Sequence, residues 1–404
     1  MPTSPRPPLL GWLAVLAVTT GLFAIVTTEI LPIGLLTAIG ADFGVSPGTA
    51  GLTMTMPGIV AAAAAPVVTV ATARLDRRVM LAVFMLVLGL AGFLSAAAPA
   101  YWVLLTARIL VGVTIGGFWS IGAGLAPRLV GPRSAPAATS LIFAAVPLGS
   151  VLGVPAGTVL GNLAGWRTAV AVLGVLSLAV FAALAATAPP LPASPTLATT
   201  WKLLAELLRR KGTRTALFLT FVIVLAHFGT YTYVTPFLRD SGVDASGVAI
   251  YLLVYGVAGV AGNFLAGWAV PRGLRATFTA AAAAIAAATA ALPLVTESRA
   301  GTLAALVIWG LAYGAVPVCS QTWFTRAAPE AAEAATVLFT ASFQATIAVG
   351  AWLGGLVVDA SSPATAMLAG GAVAGLAALS RKGSRSPTIA TARILPEDSV
   401  GKQH

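Results

Sequence analysis

Residues 27–34 read TTEILPIG and close the first long apolar run of the chain, Leu9 to Leu36. One carboxylate, Glu29, stands in that run, three residues before Pro32. Whether such a group is wet or buried depends on the medium around it, and composition identifies the medium. Of 404 residues, 58% are hydrophobic and 9% are charged, with a mean hydropathy of +0.95. A soluble domain carries about 25% charged residues. This chain has too few to cover a water-facing surface, and its apolar runs reach the roughly 20 residues that a bilayer-crossing helix needs. They lack the period-two alternation of a transmembrane barrel. The fold class is therefore an all-α integral membrane protein.

Breaks with charge, Pro or Gly divide the chain into about twelve apolar segments, among them 247–270, 276–295 and a short last one at 364–380. The first is too long for a cleaved signal peptide and no A-x-A site follows it, so it reads as a retained helix. With a cytoplasmic N-terminus, one set of connections holds Arg6, Arg74, Arg77, Arg78, Arg128, Arg133, Lys202, Arg209, Arg210, Lys211, Arg214, Arg272, Arg275, Arg326, Arg381, Lys382, Arg385, Arg393 and Lys402. The opposite set holds only Arg167, Arg239 and Arg299. That asymmetry is the positive-inside signal. It places both termini in the cytoplasm and explains the net charge of +11 without nucleic acid. The single Cys319 argues against disulfides and thiolate metal sites.

The one long connection spans 189–214. It begins PPLPASPTLATT and continues WKLLAELLRRKG, whose apolar spacing and basic end predict an amphipathic helix on the inner leaflet. It separates two six-helix bundles, 1–188 and 215–380, and a cytoplasmic tail follows at 381–404. The halves repeat: GVTIGGFWS from Gly112 aligns with GLAYGAVPV from Gly310, which matches Gly116 to Gly314, Arg128 to Arg326 and Gly157 to Gly355. Two six-helix repeats around a central site are a transporter architecture.

Several motifs resemble the major facilitator superfamily, in its twelve-helix drug:proton antiporter branch, which also holds sugar and nucleoside efflux proteins. TEILPIGLLTAIGADFGVSPGTAGL is similar to that branch's first-helix signature. LLTARILVGVTIGG is similar to its fourth-helix motif, with Arg108, and PLGSVLGVPAGTVLGNLAGWR to the antiporter motif of the fifth helix. HFGTYTYVTPFL at 227–238 resembles the seventh helix of arabinose and purine-ribonucleoside efflux relatives. The resemblance covers about residues 10–380 and implies two pseudo-symmetric bundles that alternate access. The family's loop between helices 2 and 3 survives as Arg74, Asp76, Arg77 and Arg78 but lacks its glycines. Its usual role as a charge latch is correspondingly weakened. In the fifth helix Val154 separates Gly153 from Pro155, where the pattern has glycine and proline adjacent.

Glu29 is the only acidic residue well inside a span. A charge at the bilayer centre costs about 2.5–3.5 kcal/mol on insertion scales, so such groups face a cavity or a partner. A carboxyl whose charge follows solvent access can load and release a proton; the plain alternative is a wet interfacial Glu. Arg108, the only cation inside a span, lies at a depth similar to Glu29, which allows an ion pair or shared water. Its alternative role is to bind backbone carbonyls. His227 is a candidate for proton coupling or substrate contact. Tyr231 lies one turn on and Tyr233 follows, and both also suit an interfacial aromatic belt. Phe118, Trp119 and Gln344 are candidate cavity residues. Gly149, Gly153, Gly157 and Gly161 share one helix face beside Pro147 and Pro155, and read as a close-packed, bendable seam between the halves. With the charged loop they form the candidate conformational gate.

No Gly-Lys-Ser/Thr nucleotide loop, His-Glu-x-x-His motif or nucleophile–base set occurs, so no ATP drive, metal, cofactor or enzymatic activity is called for. The expected function is proton-coupled efflux of a small amphipathic molecule or drug by a monomer in the bilayer. The alanine-rich composition suits a GC-rich bacterial genome, and the expected location is the bacterial plasma membrane. The rivals are a sugar or nucleoside exporter, an uptake facilitator, a non-transporting receptor and a membrane-embedded enzyme.

Overall fold

The computed structural model describes residues 8–72, 74–122, 125–131, 133–192 and 199–379. Arg6, part of the linker and the expected tail at 381–404 lie outside them. The first half comprises α1 (Pro8–Phe43), α2 (Pro47–Ala71), α3 (Arg77–Ala96), α4 (Tyr101–Gly122), α5 (Ala135–Ala164) and α6 (Trp166–Thr187). The second begins with α7 (Lys211–Asp240). A continuous helix then runs Ala245–Ala291 but breaks at Gly273, whose backbone is not helical. Its arms, 245–272 and 274–291, are α8 and α9. Then follow α10 (Arg299–Ala327), α11 (Ala332–Ala360) and the shorter α12 (Pro363–Leu379). Ten described helices are long and apolar enough to cross a membrane. The break at Gly273 makes two crossings of one of them, and α12 completes twelve.

Several boundaries have a visible local cause. Ser46 accepts from the Thr49 N–H to cap α2, and Asp76 accepts from the Arg78 N–H to cap α3. A single residue, Gly165, joins α5 to α6 at φ 87°, a left-handed conformation that glycine adopts without steric cost. Ahead of Pro155, the backbone widens into a π-turn over Gly149–Gly153.

Lipid is as apolar as leucine, so close packing rather than the hydrophobic effect joins helices in a bilayer. Gly112 and Gly116 of α4 lie directly on Pro57 and Ala61 of α2. Gly310 and Gly314 of α10 lie in the same way on Tyr255 and Gly259 of α8. Phe118, Phe84 and Leu22 centre the first half's core, and Trp309, Phe278 and Ile285 the second's.

Two expectations change. The linker helix exists, Trp201–Arg209, but it does not simply rest on a leaflet. Leu204 and Leu207 are buried against Ala216, Phe324 and Leu338 of the second half, because that bundle end offers an apolar seat. An Arg210–Glu330 ion pair pins the helix's end. The α5 glycines are not the seam between halves either. Gly149, Gly153, Gly157 and Gly161 face Val26, Thr27, Leu31 and Leu35 of α1, in their own half. The opposite face of α5 meets the second half, where Val151 abuts Gly256.

A Cβ at position 314 would collide with the Gly259 carbonyl oxygen, which is backbone and cannot swing away. Gly314→Val is therefore expected to abolish a monodisperse folded protein in size-exclusion chromatography. Gly267→Val, where a Cβ meets nothing, leaves the elution profile and thermal midpoint unchanged.

Candidate functional site

The halves enclose a cavity of about 250 Å3. It extends from mid-depth, at Glu29 and Gln344, toward the linker end of the bundle, at Trp119 and Phe339. α1 brings Glu29 to its wall, and α11 brings Gln344 from the other half. The Gln344 amide Nε2 donates to Glu29 Oε1 at 2.9 Å, and both side chains are buried. This hydrogen bond joins the halves at the cavity itself. Gln344 Oε1 has no protein partner.

Opposite stands an aromatic cluster from α7, α8 and α10. His227 stacks on Tyr313 and on Tyr231, and Tyr231 stacks on Tyr255 with ring centroids 4.5 Å apart. Trp309 Nε1 donates to His227 Nδ1 at 3.1 Å. Nδ1 must then be unprotonated, so the neutral ring carries its proton on Nε2. The Tyr255 hydroxyl is buried without a protein partner. The cavity thus offers flat aromatic faces, one carboxylate and a few unsatisfied polar atoms, the composition of a site for a small, mostly apolar ligand.

Arg108 is buried beside this wall but forms no ion pair with the Glu29 carboxylate. Its Nη1 donates to the Thr28 carbonyl at 2.8 Å, Nη2 to the Glu29 carbonyl at 3.0 Å and Nε to the Thr53 carbonyl at 2.7 Å. The prolines explain these targets. A proline has no N–H for the carbonyl four residues before it. Pro32 thereby orphans Thr28, and Pro57 orphans Thr53. One guanidinium caps both orphans and ties α1, α2 and α4 together just below Glu29.

Trp119, His227, Tyr231, Gln344 and Glu29 line the cavity together. Two expected residues do not. Phe118 turns into the first half's core, because adjacent helical residues point about 100° apart and Trp119 takes the cavity side. Tyr233 is fully buried, and its hydroxyl donates to the Ala351 carbonyl at 2.7 Å near the end of the bundle away from the linker. In the charged loop, Asp76 accepts from the Leu191 N–H at 3.0 Å at the start of the linker and Arg78 donates to the Ala185 carbonyl of α6, so neither bond reaches the second half. Arg77 Nη1 donates to the Thr72 carbonyl at 3.2 Å, and Arg74 lies in the turn that precedes. Gly149, Gly153, Pro155 and Gly157 lie along the α1–α5 contact described above.

Sequence reasoning missed Tyr255, Trp309, Tyr313 and Asp359. A signal existed for the tyrosines: each immediately precedes a glycine, and in the repeats the glycines mark the helix–helix contact. A neighbour turned by one residue then faces the cavity. Asp359 gave no such sign. It caps the start of α2 from across the molecule, with Oδ1 accepting from the Gly48 N–H at 2.8 Å and Oδ2 from the Ser46 hydroxyl at 2.7 Å. Asn162 Nδ2 donates to the Ala245 carbonyl at the same end. The bundle is therefore closed at the end away from the linker.

The arrangement defines a helical membrane transporter. The Major Facilitator Superfamily model matches residues 12–340, and the chain belongs to that family. It is 33% identical over 355 residues to the purine ribonucleoside efflux pump NepI of Salmonella paratyphi A, covering 86% of this chain and 88% of that protein. Among solved structures it is similar in fold to a variant of the nucleoside transporter NupG, with a TM-score of 0.75, 12% identity and coverage of 92% and 98%. It is also similar to the xylose transporter XylE from E. coli in a partially occluded inward-open conformation, with a TM-score of 0.71, 16% identity and coverage of 92% and 97%.

Arg108→Leu strips the cap from two proline-orphaned carbonyls and is expected to destabilise the protein by about 3 kcal/mol. In a Pro32→Ala/Pro57→Ala background, restored N–H groups satisfy those carbonyls. The same substitution should then cost at least about 1 kcal/mol less, a coupling read from a double-mutant cycle of thermal unfolding in detergent. At the closed end, Asp359→Ala removes an exposed anion from a helix N-terminus, an interaction worth about 0.3–1 kcal/mol. A cysteine placed at the fully buried Ala50 should consequently react roughly twofold to fivefold faster with a membrane-impermeant maleimide.

Proposed function

We propose that this protein exports purine nucleosides, or small amphipathic molecules with a similar planar ring, in exchange for protons. The observation that carries the reading is the Glu29 carboxylate, held in the cavity wall by Gln344 of the other half and facing the aromatic cluster of His227, Tyr231 and Tyr255. The similarity to the purine ribonucleoside efflux pump of Salmonella favours nucleosides over other planar compounds. Orientation follows the positive-inside asymmetry, with both termini in the cytoplasm of a bacterial cell and the cavity accessible from that side.

In the state described, an ionised Glu29 accepts from the Gln344 amide, and a charge-assisted bond of this kind is roughly twice as strong as a neutral one. The link favours closure of the far end while substrate enters from the cytoplasm and stacks on the tyrosines. Once the cavity faces outward, a proton neutralises Glu29, the link weakens and substrate leaves. Return to the cytoplasmic side releases the proton. Arg108 positions Glu29 by fixing the α1 backbone at the Thr28 and Glu29 carbonyls, in the turn that Pro32 leaves open. The protein acts as a monomer, and its coupling needs only substrate and protons.

Everted vesicles with an acid interior supply the test. Adding a purine ribonucleoside should release protons with wild type, and Glu29→Gln should reduce that release at least about tenfold, the loss of roughly 1.4 kcal/mol or more of coupling. If no nucleoside moves protons through wild type while a dye or antibiotic does, the substrate assignment is wrong. Equal proton release by Glu29→Gln and wild type would remove Glu29 from the coupling step.

A further inference from the structure

Away from the central cavity, α8, α9 and α10 enclose an open groove of about 320 Å3 on the outer face of the second half. Its walls include Leu265 and Ala269 of α8, Ala280 and Ala284 of α9, and Ile308 and Leu311 of α10. Leu265 is 59% and Ile308 47% exposed, so this face meets the bilayer. Alanines on α9 leave a hollow where larger side chains would leave a ridge. Thr277 also lines the groove, and its hydroxyl is spent on the Gly273 carbonyl at 2.9 Å.

The groove runs toward the α8–α9 hairpin turn, which carries Trp268, Arg272 and Arg275. Ala269 and Thr277, its last lining residues on the two arms, stand within one helical turn of those arginines. Both arginines are exposed. The Arg272 guanidinium lies 3.9 Å over the Trp268 ring and donates to the Trp268 carbonyl. An indole beneath a guanidinium marks the hydrocarbon–water boundary, where tryptophan and snorkelling cations collect. Neither 245–291 nor Arg299–Ala327 contains an acidic residue, so the elements that build the groove carry no charge opposed to an anion. An apolar hollow that leads to a two-arginine turn at the boundary matches both ends of one molecule: an acyl chain and an anionic headgroup.

We infer that this groove is a specific site for an anionic glycerophospholipid, with one acyl chain along α8–α10 and the phosphate at Arg272 and Arg275. The site is independent of the transport cavity. The lipid holds the two arms of the hairpin at a fixed spacing and so stabilises the second half.

Native mass spectrometry of the delipidated full chain, titrated with phosphatidylglycerol and with phosphatidylcholine of identical acyl chains, tests this. One phosphatidylglycerol should be retained about thirtyfold better than phosphatidylcholine, the combined worth of two basic groups at an anionic headgroup. Arg272→Gln/Arg275→Gln should bring the two lipids to parity. Ala280→Phe, which fills the groove from an exposed position, should weaken phosphatidylglycerol retention with the arginines intact. Unchanged thermal midpoints of lipid-free variants exclude unfolding as the cause. No preference in wild type, or an unchanged preference in the double variant, overturns the site. Loss with the arginine variant but not with Ala280→Phe also overturns it, because the lipid would then merely adsorb at surface cations.

Discussion

Hydrocarbon offers no hydrogen-bond partner, so every backbone polar group within a membrane span must be satisfied by the protein itself. Prolines violate that requirement wherever they interrupt a helix. In this protein the two violations that matter most, at Pro32 and Pro57, open carbonyls at Thr28 and Thr53, and one buried guanidinium answers both. Arg108 thereby does the work of two missing N–H groups and fixes three helices of the first half. The position of Glu29 depends on this arrangement, since its own carbonyl is the third acceptor.

Around that fixed point, the links between halves form a graded series. At mid-depth Glu29 and Gln344 join α1 to α11. Farther from the linker, Asp359 caps the start of α2, and Ser46 shares in the bond. Gly48 and Gly355 are needed there because a Cβ at either would meet the backbone opposite. A carboxylate on a helix N-terminus couples favourably to the helix dipole and is lost as soon as the helices separate. Such a contact holds one conformation without locking it, which suits alternation of access. The cavity lies on the linker side of these ties.

The glycines explain why aromatic residues converge on the cavity. Gly310 and Gly314 press α10 against α8, and the residue beside a contact glycine is rotated off the contact. Tyr313 and Tyr255 therefore turn toward the space between the halves, while Trp309 stays behind to orient His227. The same geometry separates Trp119 from its neighbour Phe118. In α5 it directs the glycine face to α1 and leaves Ser150 and Val151 to meet the second half.

The sequence by itself determined the medium, the twelve crossings and the candidate carboxylate. Hydrophobic length and the scarcity of charge are local properties, and the cost of a buried charge makes Glu29 conspicuous wherever it lies. It also contained the repeat, because the glycines that let helices touch recur at matching positions in the two halves. Partners were a different matter. Whether Arg108 would meet a carboxylate or carbonyls, which of Phe118 and Trp119 would face the cavity, and that Asp359 would cap α2 from the far half of the chain were decided only by tertiary structure. Hydrogen bonds are short and directional, and one residue of helix rotation or a few ångströms of helix offset selects the acceptor. Neither quantity is fixed by composition or spacing along a single span.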